Sequence, residues 1–250
     1  MTVEAPGGAR DILLHACCAP CSGAVLECLR DSGIRPVVFF SNSNIAPREE
    51  YELRLSELRR YGDVMGVEVV ADEYDHDAWL AAVRGLEREP ERGARCAACF
   101  RFRLARAARY AASRGLTVVA TTLASSRWKD LDQVNAAGMD VCSRVDGVGI
   151  CDTGAATVSE NRSHPRLRKR EGPASEGSGR GPAQQDVFGD SSPLPLQGSS
   201  PAAADVVFWA QNWRKGGLQP RRNEIIREQG FYNQTWCGCE FSRQPSTKNQ

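Results

Sequence analysis

The chain has 250 residues, 41% of them hydrophobic and 25% charged, with a formal net charge of +1. That length suits one α/β domain with a real core, or one domain plus a tail, and the charge gives no global field for nucleic acid or membrane, so any nucleic-acid contact must come from local basic patches. No apolar run is long enough to span a bilayer, and residues 1–10 lack the charged start and apolar stretch of a signal peptide, so the expected compartment is the cytoplasm.

In chain order, residues 11–16 (DILLHA) read as a buried strand that runs into Cys17, Cys18 and Cys21. A helix fits residues 22–31, closed by Gly33. Residues 36–41 (PVVFFS) are a second strand, followed by the polar loop Asn42, Ser43, Asn44. Pro47 opens an amphipathic helix carrying Tyr51, Leu55, Leu58 and Tyr61 at helical spacing. A third strand fits residues 67–70, a short helix residues 77–83, and a basic helix residues 96–113, stopped at Gly115. Residues 117–122 (TVVATT) are a fourth strand, and the spacing predicts a helix over 126–137 ending at Gly138. Strands alternating with helices specify an α/β fold with a parallel sheet covered on both faces.

The pattern then stops. Residues 142–204 are rich in Ser, Gly and Pro and carry no apolar periodicity. Such composition buries too little apolar surface to offset ordering entropy, so a disordered insertion is expected. Order is expected to return at Asp205 with a last strand, then a helix over 222–229 and the aromatic segment 231–236. The expected organisation is one α/β catalytic domain formed by 11–141 and 205–242, with flexible termini at 1–10 and 243–250.

Ten cysteines in a reducing compartment point to metal binding or redox chemistry rather than a disulfide framework. Cys17, Cys18 and Cys21 sit where a buried strand meets a helix, and Cys96 and Cys99 sit at the start of the basic helix. Helix N-termini favour thiolates. These groups supply five soft donors, and tetrahedral sulfur ligation means zinc or iron–sulfur. An adjacent fifth thiol, Cys17, is surplus to a closed zinc site. Cys237 and Cys239 flank Gly238. In an extended strand residues two apart lie roughly 6.6 Å apart on one face, near the upper limit for a disulfide. Gly238 lets the backbone tighten into a strained ring suited to a redox relay; two ordinary packed thiols are the alternative. Cys28 is expected in the core, and Cys142 and Cys151 as inert residues at the start of the insertion. His15 reads as a satisfied core residue, His76 as a helix-start residue, and His164 belongs to the insertion.

Arg101, Arg103, Arg106 and Arg109, with Phe100 and Phe102 between them, suit phosphate contact and base stacking, or else a solvated basic face. Ser125 to Asp130 follow the fourth strand with donors for an anion, and Asn42, Asn44, Tyr51 and Arg54 form a polar cluster beyond the second. All three groups sit at strand C-termini and are expected to converge on one pocket.

In combination, LLHACCAPCS, SNSNIAPREEYELRLSELRRY, ERGARCAACFRFRLARAARYA, TTLASSRWKD and the closing CGCEFS resemble the epoxyqueuosine reductase QueH family, over roughly residues 11–140 and 205–242. The resemblance implies a Rossmann-like fold of the HUP class, with cysteines where relatives carry a phosphate loop. It implies a [4Fe-4S] cluster on Cys17, Cys18, Cys96 and Cys99 and a redox-active pair at Cys237 and Cys239. It also implies cobalamin-independent reduction of epoxyqueuosine to queuosine at the wobble position of a tRNA anticodon, fed by an electron donor. Cys21, left over, is a candidate ligand for an additional iron, and Asp130 a candidate acid. The chain departs from the family in its long 142–204 segment and in Tyr232, Asn233, Gln234, where the family has tyrosine, arginine, glutamine. The rival from another class is a zinc-stabilised RNA-binding module, which leaves Cys17 and the Cys237/Cys239 pair unexplained. A related tRNA thiolation enzyme would keep a phosphate loop of SGGxDS type, which is absent here.

Overall fold

A computed structural model describes residues 1–144 and 205–242. Residues 145–204 and 243–250, with Cys151, His164 and most of the expected insertion, lie outside the described residues.

Five strands form one all-parallel sheet in the order β3-β2-β1-β4-β5. They are β1 Asp11–His15, β2 Arg35–Phe40, β3 Val69–Ala71, β4 Val118–Thr121 and β5 Val207–Phe208. The helices are α1 Ala19–Asp31, α2 Arg48–Met65, α3 His76–Ala82, α4 Ala94–Ser113, α5 Leu131–Cys142 and α6 Leu218–Gln229. Strand periodicity divides the core into two layers. Ile12 and Leu14, with Val38, Phe40 and Ala120, pack under α1, α2 and α6. Leu13, with Phe39, Val119 and Phe208, packs under α4 and α5. The α/β expectation holds, and the parallel sheet is covered on both faces.

The strand order runs outward in opposite directions from β1 and β4, so the switch point lies between them. Ligands of open parallel sheets bind beyond the strand C-termini at that point. The first cysteine group follows β1, and the turn leading to Lys129 follows β4.

Several helix boundaries differ from expectation. α1 begins at Ala19 rather than 22, with Pro20 in its first turn, so Cys21 lies inside the helix. α6 begins at Leu218 rather than 222. α5 begins at Leu131 rather than 126, because the Asp130 carboxylate accepts the Gln133 N–H at 3.0 Å and caps it there. α5 also runs through Gly138 to Cys142, where a glycine stop was expected. Gly138 is required for close approach instead: a Cβ there would lie on the Phe208 ring. Gly→Ala inside a helix ordinarily stabilises by about 0.5–1 kcal/mol, while overpacking costs about 1–3 kcal/mol. Gly138→Ala is therefore expected to destabilise the protein by about 1 kcal/mol, read from chemical denaturation; a gain in stability would contradict the packing.

The first ten residues are tied to the domain. The Val3 N–H donates to Ser32 Oγ at 3.0 Å, the Cys28 thiol to the Met1 carbonyl at 3.3 Å, and Ala5 is buried. Cys28 is in the core as expected. Cys142 is also buried, and it closes α5.

Candidate metal and redox centre

β1 hands over to α1 through Cys17 and Cys18. Cys18 takes the N-cap position in extended backbone, which turns its thiol and those of Cys17 and Cys21 toward one another. The three Sγ atoms lie within 4.8 Å of each other. Cys17 Sγ is 3.8 Å from Cys18 Sγ and 3.5 Å from Thr122 Oγ1, just after β4, and the Cys17 N–H donates to the same hydroxyl at 3.2 Å. Three thiols this close, two of them buried, cannot all ionise unaided. Hydrogen bonds from Cys18 and Cys21 hold the Cys17 thiol well below the usual range. Burial then pushes Cys18 up, and the hydrogen bond to Cys17 takes Cys21 up to about 12. One thiolate shared among three thiols is the result. A cation that let all three ionise would release the remaining protons, so this donor set fits a soft metal centre.

The second thiol group opens α4. Cys96 Sγ accepts the Arg92 N–H at 3.2 Å, and burial raises the Cys96 thiol above its ordinary value. Cys96, Cys99, Cys237 and Cys239 line one cavity together with Asn44, Lys129 and Arg103. It encloses about 340 Å³ of non-protein space, open solvent at its mouth included. Asn44 Oδ1 is buried without a hydrogen-bond partner among the described residues, leaving an acceptor for a bound group. Burial works against the charge of Lys129, yet the thiols of Cys237, Cys96 and Cys99 hold its pKa above the ordinary lysine value. Arg103 joins the cavity to the first group: it lines the cavity, and its charge helps to lower Cys17.

The Cys237–Gly238–Cys239 loop is held from α2 and the segment before it. Gly238 has φ +99°, and a Cβ there would meet Ile45 at 2.8 Å and Arg54 at 3.2 Å, so only glycine suits the position. Its carbonyl accepts the Ala46 N–H at 3.0 Å. Arg54, 2% exposed, pairs with Glu50 at 2.6 Å and donates to the carbonyls of Cys237 at 3.2 Å and Trp236 at 3.4 Å. Both cysteines are free thiols. The hydrogen bond with Cys239 holds the Cys237 thiol well below the usual range and pushes Cys239 up. The pair thus presents one thiolate and one thiol.

Several expected residues serve the framework instead. Arg103 donates to Ser41 O at 3.2 Å and to Asn42 Oδ1, and Arg106 pairs with Asp72. Neither is available to a phosphate. Phe100 is buried in the core but forms part of the wall of the thiol cavity, whereas Phe231 packs edge-on against Tyr61 with centroids 5.2 Å apart and is spent on the framework. His15 is a buried link as expected, 2.8 Å from Thr121 Oγ1 and 3.1 Å from Ser41 O; burial depresses its pKa to about 3, so it is neutral. His76 starts α3 and meets Glu240 at 3.2 Å. Tyr51 OH donates to Asp72 O at 3.2 Å. Asn44 is the one of its polar cluster that lines the cavity.

Two contacts had no signal in the sequence. Gln234 Nε2 donates to Cys18 Sγ at 2.6 Å, although 216 positions separate them. Trp79, buried on α3, lines the thiol cavity.

A family model for the epoxyqueuosine reductase QueH matches residues 12–153 and 195–245. The chain belongs to the QueH family. The QueH match passes over 154–194, inside the stretch where the sequence departs from the family pattern. An epoxyqueuosine reductase QueH of Histophilus somni is 33% identical over 246 residues, covering 98% of this chain and 77% of the relative. The Haemophilus influenzae QueH is 32% identical over the same shares. The Thermotoga maritima QueH is 25% identical, over 92% of this chain and 89% of its own. No helix among the described residues is long and apolar enough to cross a membrane.

Proposed function

We propose that this protein is an oxidoreductase that reduces epoxyqueuosine to queuosine in tRNA, the last step of queuosine synthesis, without cobalamin. The observation that carries this reading is a cavity lined by thiols from two chain segments more than a hundred residues apart, in a chain of the QueH family. Cys17, Cys18, Cys96 and Cys99 would hold a [4Fe-4S] cluster, and Cys21 is the thiol left for an additional iron. A bound cluster would supply electrons one at a time.

Converting an epoxide to an alkene consumes two electrons and two protons and releases the oxygen as water. Oxidation of the Cys237 thiolate and the Cys239 thiol to a disulfide releases two electrons and one proton, so the pair supplies the electrons of one turnover, a second proton must come from another group, and an electron donor must then reduce the pair again. Cys239 retains its proton while Cys237 is the thiolate. Arginines do not release protons, so among the cations lining the cavity Lys129 Nζ is the group able to hand one to a departing oxygen. The Arg54–Glu50 pair fixes the loop, and Gln234 ties the segment before it to Cys18.

The test is a single-turnover assay: anaerobically purified protein, reduced chemically, with tRNA carrying epoxyqueuosine, and nucleosides analysed by mass spectrometry. Queuosine should form; its absence with a loaded, reduced protein overturns the reading.

One α/β catalytic domain made of the segments flanking 145–204 is part of the same proposal. The insertion expected from composition spans 142–204, but Cys142 closes α5; on their Pro, Gly and Ser content, the remaining residues 145–204 are expected to be dispensable for the chemistry. Replacing them with a short flexible linker should preserve visible absorption and turnover. Loss of either shows that the segment belongs to the working protein.

A further inference from the structure

We infer that the turn formed by residues 126–129 after β4 is the surface that receives the RNA beside the reacting base. Trp128 is its stacking platform, and Arg92, Arg127 and Arg214 provide its positive charge. This inference rests on the proposed tRNA substrate.

Trp128 is 63% exposed, whereas Trp79, Trp209 and Trp213 are buried. One exposed indole is not by itself a site, but it offers a large flat face of the kind enriched at contact surfaces, and here it stands on a fixed turn beside the thiol cavity. Its ring is pre-set, because the Arg127 guanidinium lies 5.0 Å from its centroid. The turn is rigid as well. Three successive carbonyls are held by arginines from other elements: Arg92 donates to Arg127 O at 3.4 Å and Trp128 O at 3.1 Å, and Arg214 to Lys129 O at 2.7 Å. Gln133 Nε2 in turn holds the Arg92 carbonyl at 3.0 Å. Arg92 has φ +67°, a conformation rare outside glycine.

This platform adjoins the thiol cavity through two residues. The backbone of Arg92 donates to Cys96 Sγ, and Lys129, next to Trp128, lines the cavity. A nucleotide reacting in the cavity would therefore place a neighbouring base on Trp128. The charge is right for the flanking backbone. Asp130, which follows the turn, caps α5 and partly offsets the charge of Arg214, leaving Arg92 and Arg127 as the exposed cations. In a chain of net charge +1, three arginines around one exposed indole form a local cationic surface that suits a polyanion with unstacked bases.

The experiment measures equilibrium binding of epoxyqueuosine-containing tRNA to the cluster-loaded protein by fluorescence anisotropy across a salt series. Stacking contributes about 1–3 kcal/mol per base, so Trp128→Ala should weaken binding about 5- to 150-fold. Trp128→Phe should recover most of that loss, and the visible absorption should not change. Arg127→Ala should reduce the slope of log Kd against log salt by about 0.7, the value for one single-strand phosphate. In turnover, the Trp128→Ala loss should fall more on KM than on kcat. Unchanged affinity in Trp128→Ala, with a wild-type protein that forms queuosine, overturns this surface and leaves the reductase reading intact. A wild-type protein that neither binds nor converts the tRNA overturns both.

Discussion

Single replacement of Cys17, Cys18, Cys96 or Cys99 by alanine is expected to abolish the broad visible absorption of anaerobically purified protein and, with it, queuosine formation. Cys17, Cys18 and Cys21 have Sγ atoms within 4.8 Å, and their mutual hydrogen bonds leave one thiolate among three. Buried like charges repel in a low dielectric, so full ionisation requires a cation. Thiolate ligation of iron gives strong visible charge-transfer absorption that bleaches on reduction, and zinc gives none. Cys21→Ala is the discriminating control. If the cluster is held by the other four, absorption survives this change and any loss lies in the additional iron and in turnover. A colourless protein carrying stoichiometric zinc overturns the cluster and favours the zinc-stabilised RNA-binding module.

Cys237→Ser or Cys239→Ser is expected to leave that absorption in place while turnover collapses. Gly238, at φ +99°, lets the two thiols approach each other, and the Arg54–Glu50 pair holds the loop. The pH dependence follows from the direction of the shifts. The Cys237 thiol is depressed, so its thiolate persists as pH falls below about 8.5, where an ordinary cysteine loses it. Cys239 is raised and stays protonated through neutrality. Iodoacetamide at neutral pH should therefore label Cys237 well before Cys239, with mass spectrometry as the readout, and the Cys237 rate should persist to lower pH than that of an ordinary cysteine. Equal labelling would remove the asymmetry. Normal turnover in the double serine variant would exclude the redox role and leave two packed thiols.

Read as sequence, the α/β class follows from local rules. The alternation through Ile12, Leu13 and Leu14, the helical spacing of Tyr51, Leu55, Leu58 and Tyr61, and the capping pattern each depend on residues a few positions apart. The cysteine groups and the family resemblance were legible for the same reason, since thiols at strand-to-helix junctions form short contiguous motifs. Helix ends were less legible. Gly138 looks like a stop, and only the Phe208 ring, brought across from β5, explains why α5 passes through it.

Partner choice belonged to the tertiary structure. Arg101, Arg103, Arg106 and Arg109 look alike along the chain, yet Arg103 is spent on Ser41 and Asn42, and Arg106 on Asp72. Nothing local distinguishes Arg54, which holds a loop 183 positions away, or Trp128, the tryptophan most exposed to solvent. A long side chain can reach many partners, and its neighbours are decided by which strands the sheet sets side by side. Local periodicity sets which face of an element is buried; only the folded chain determines what that face, or a cation at its edge, meets.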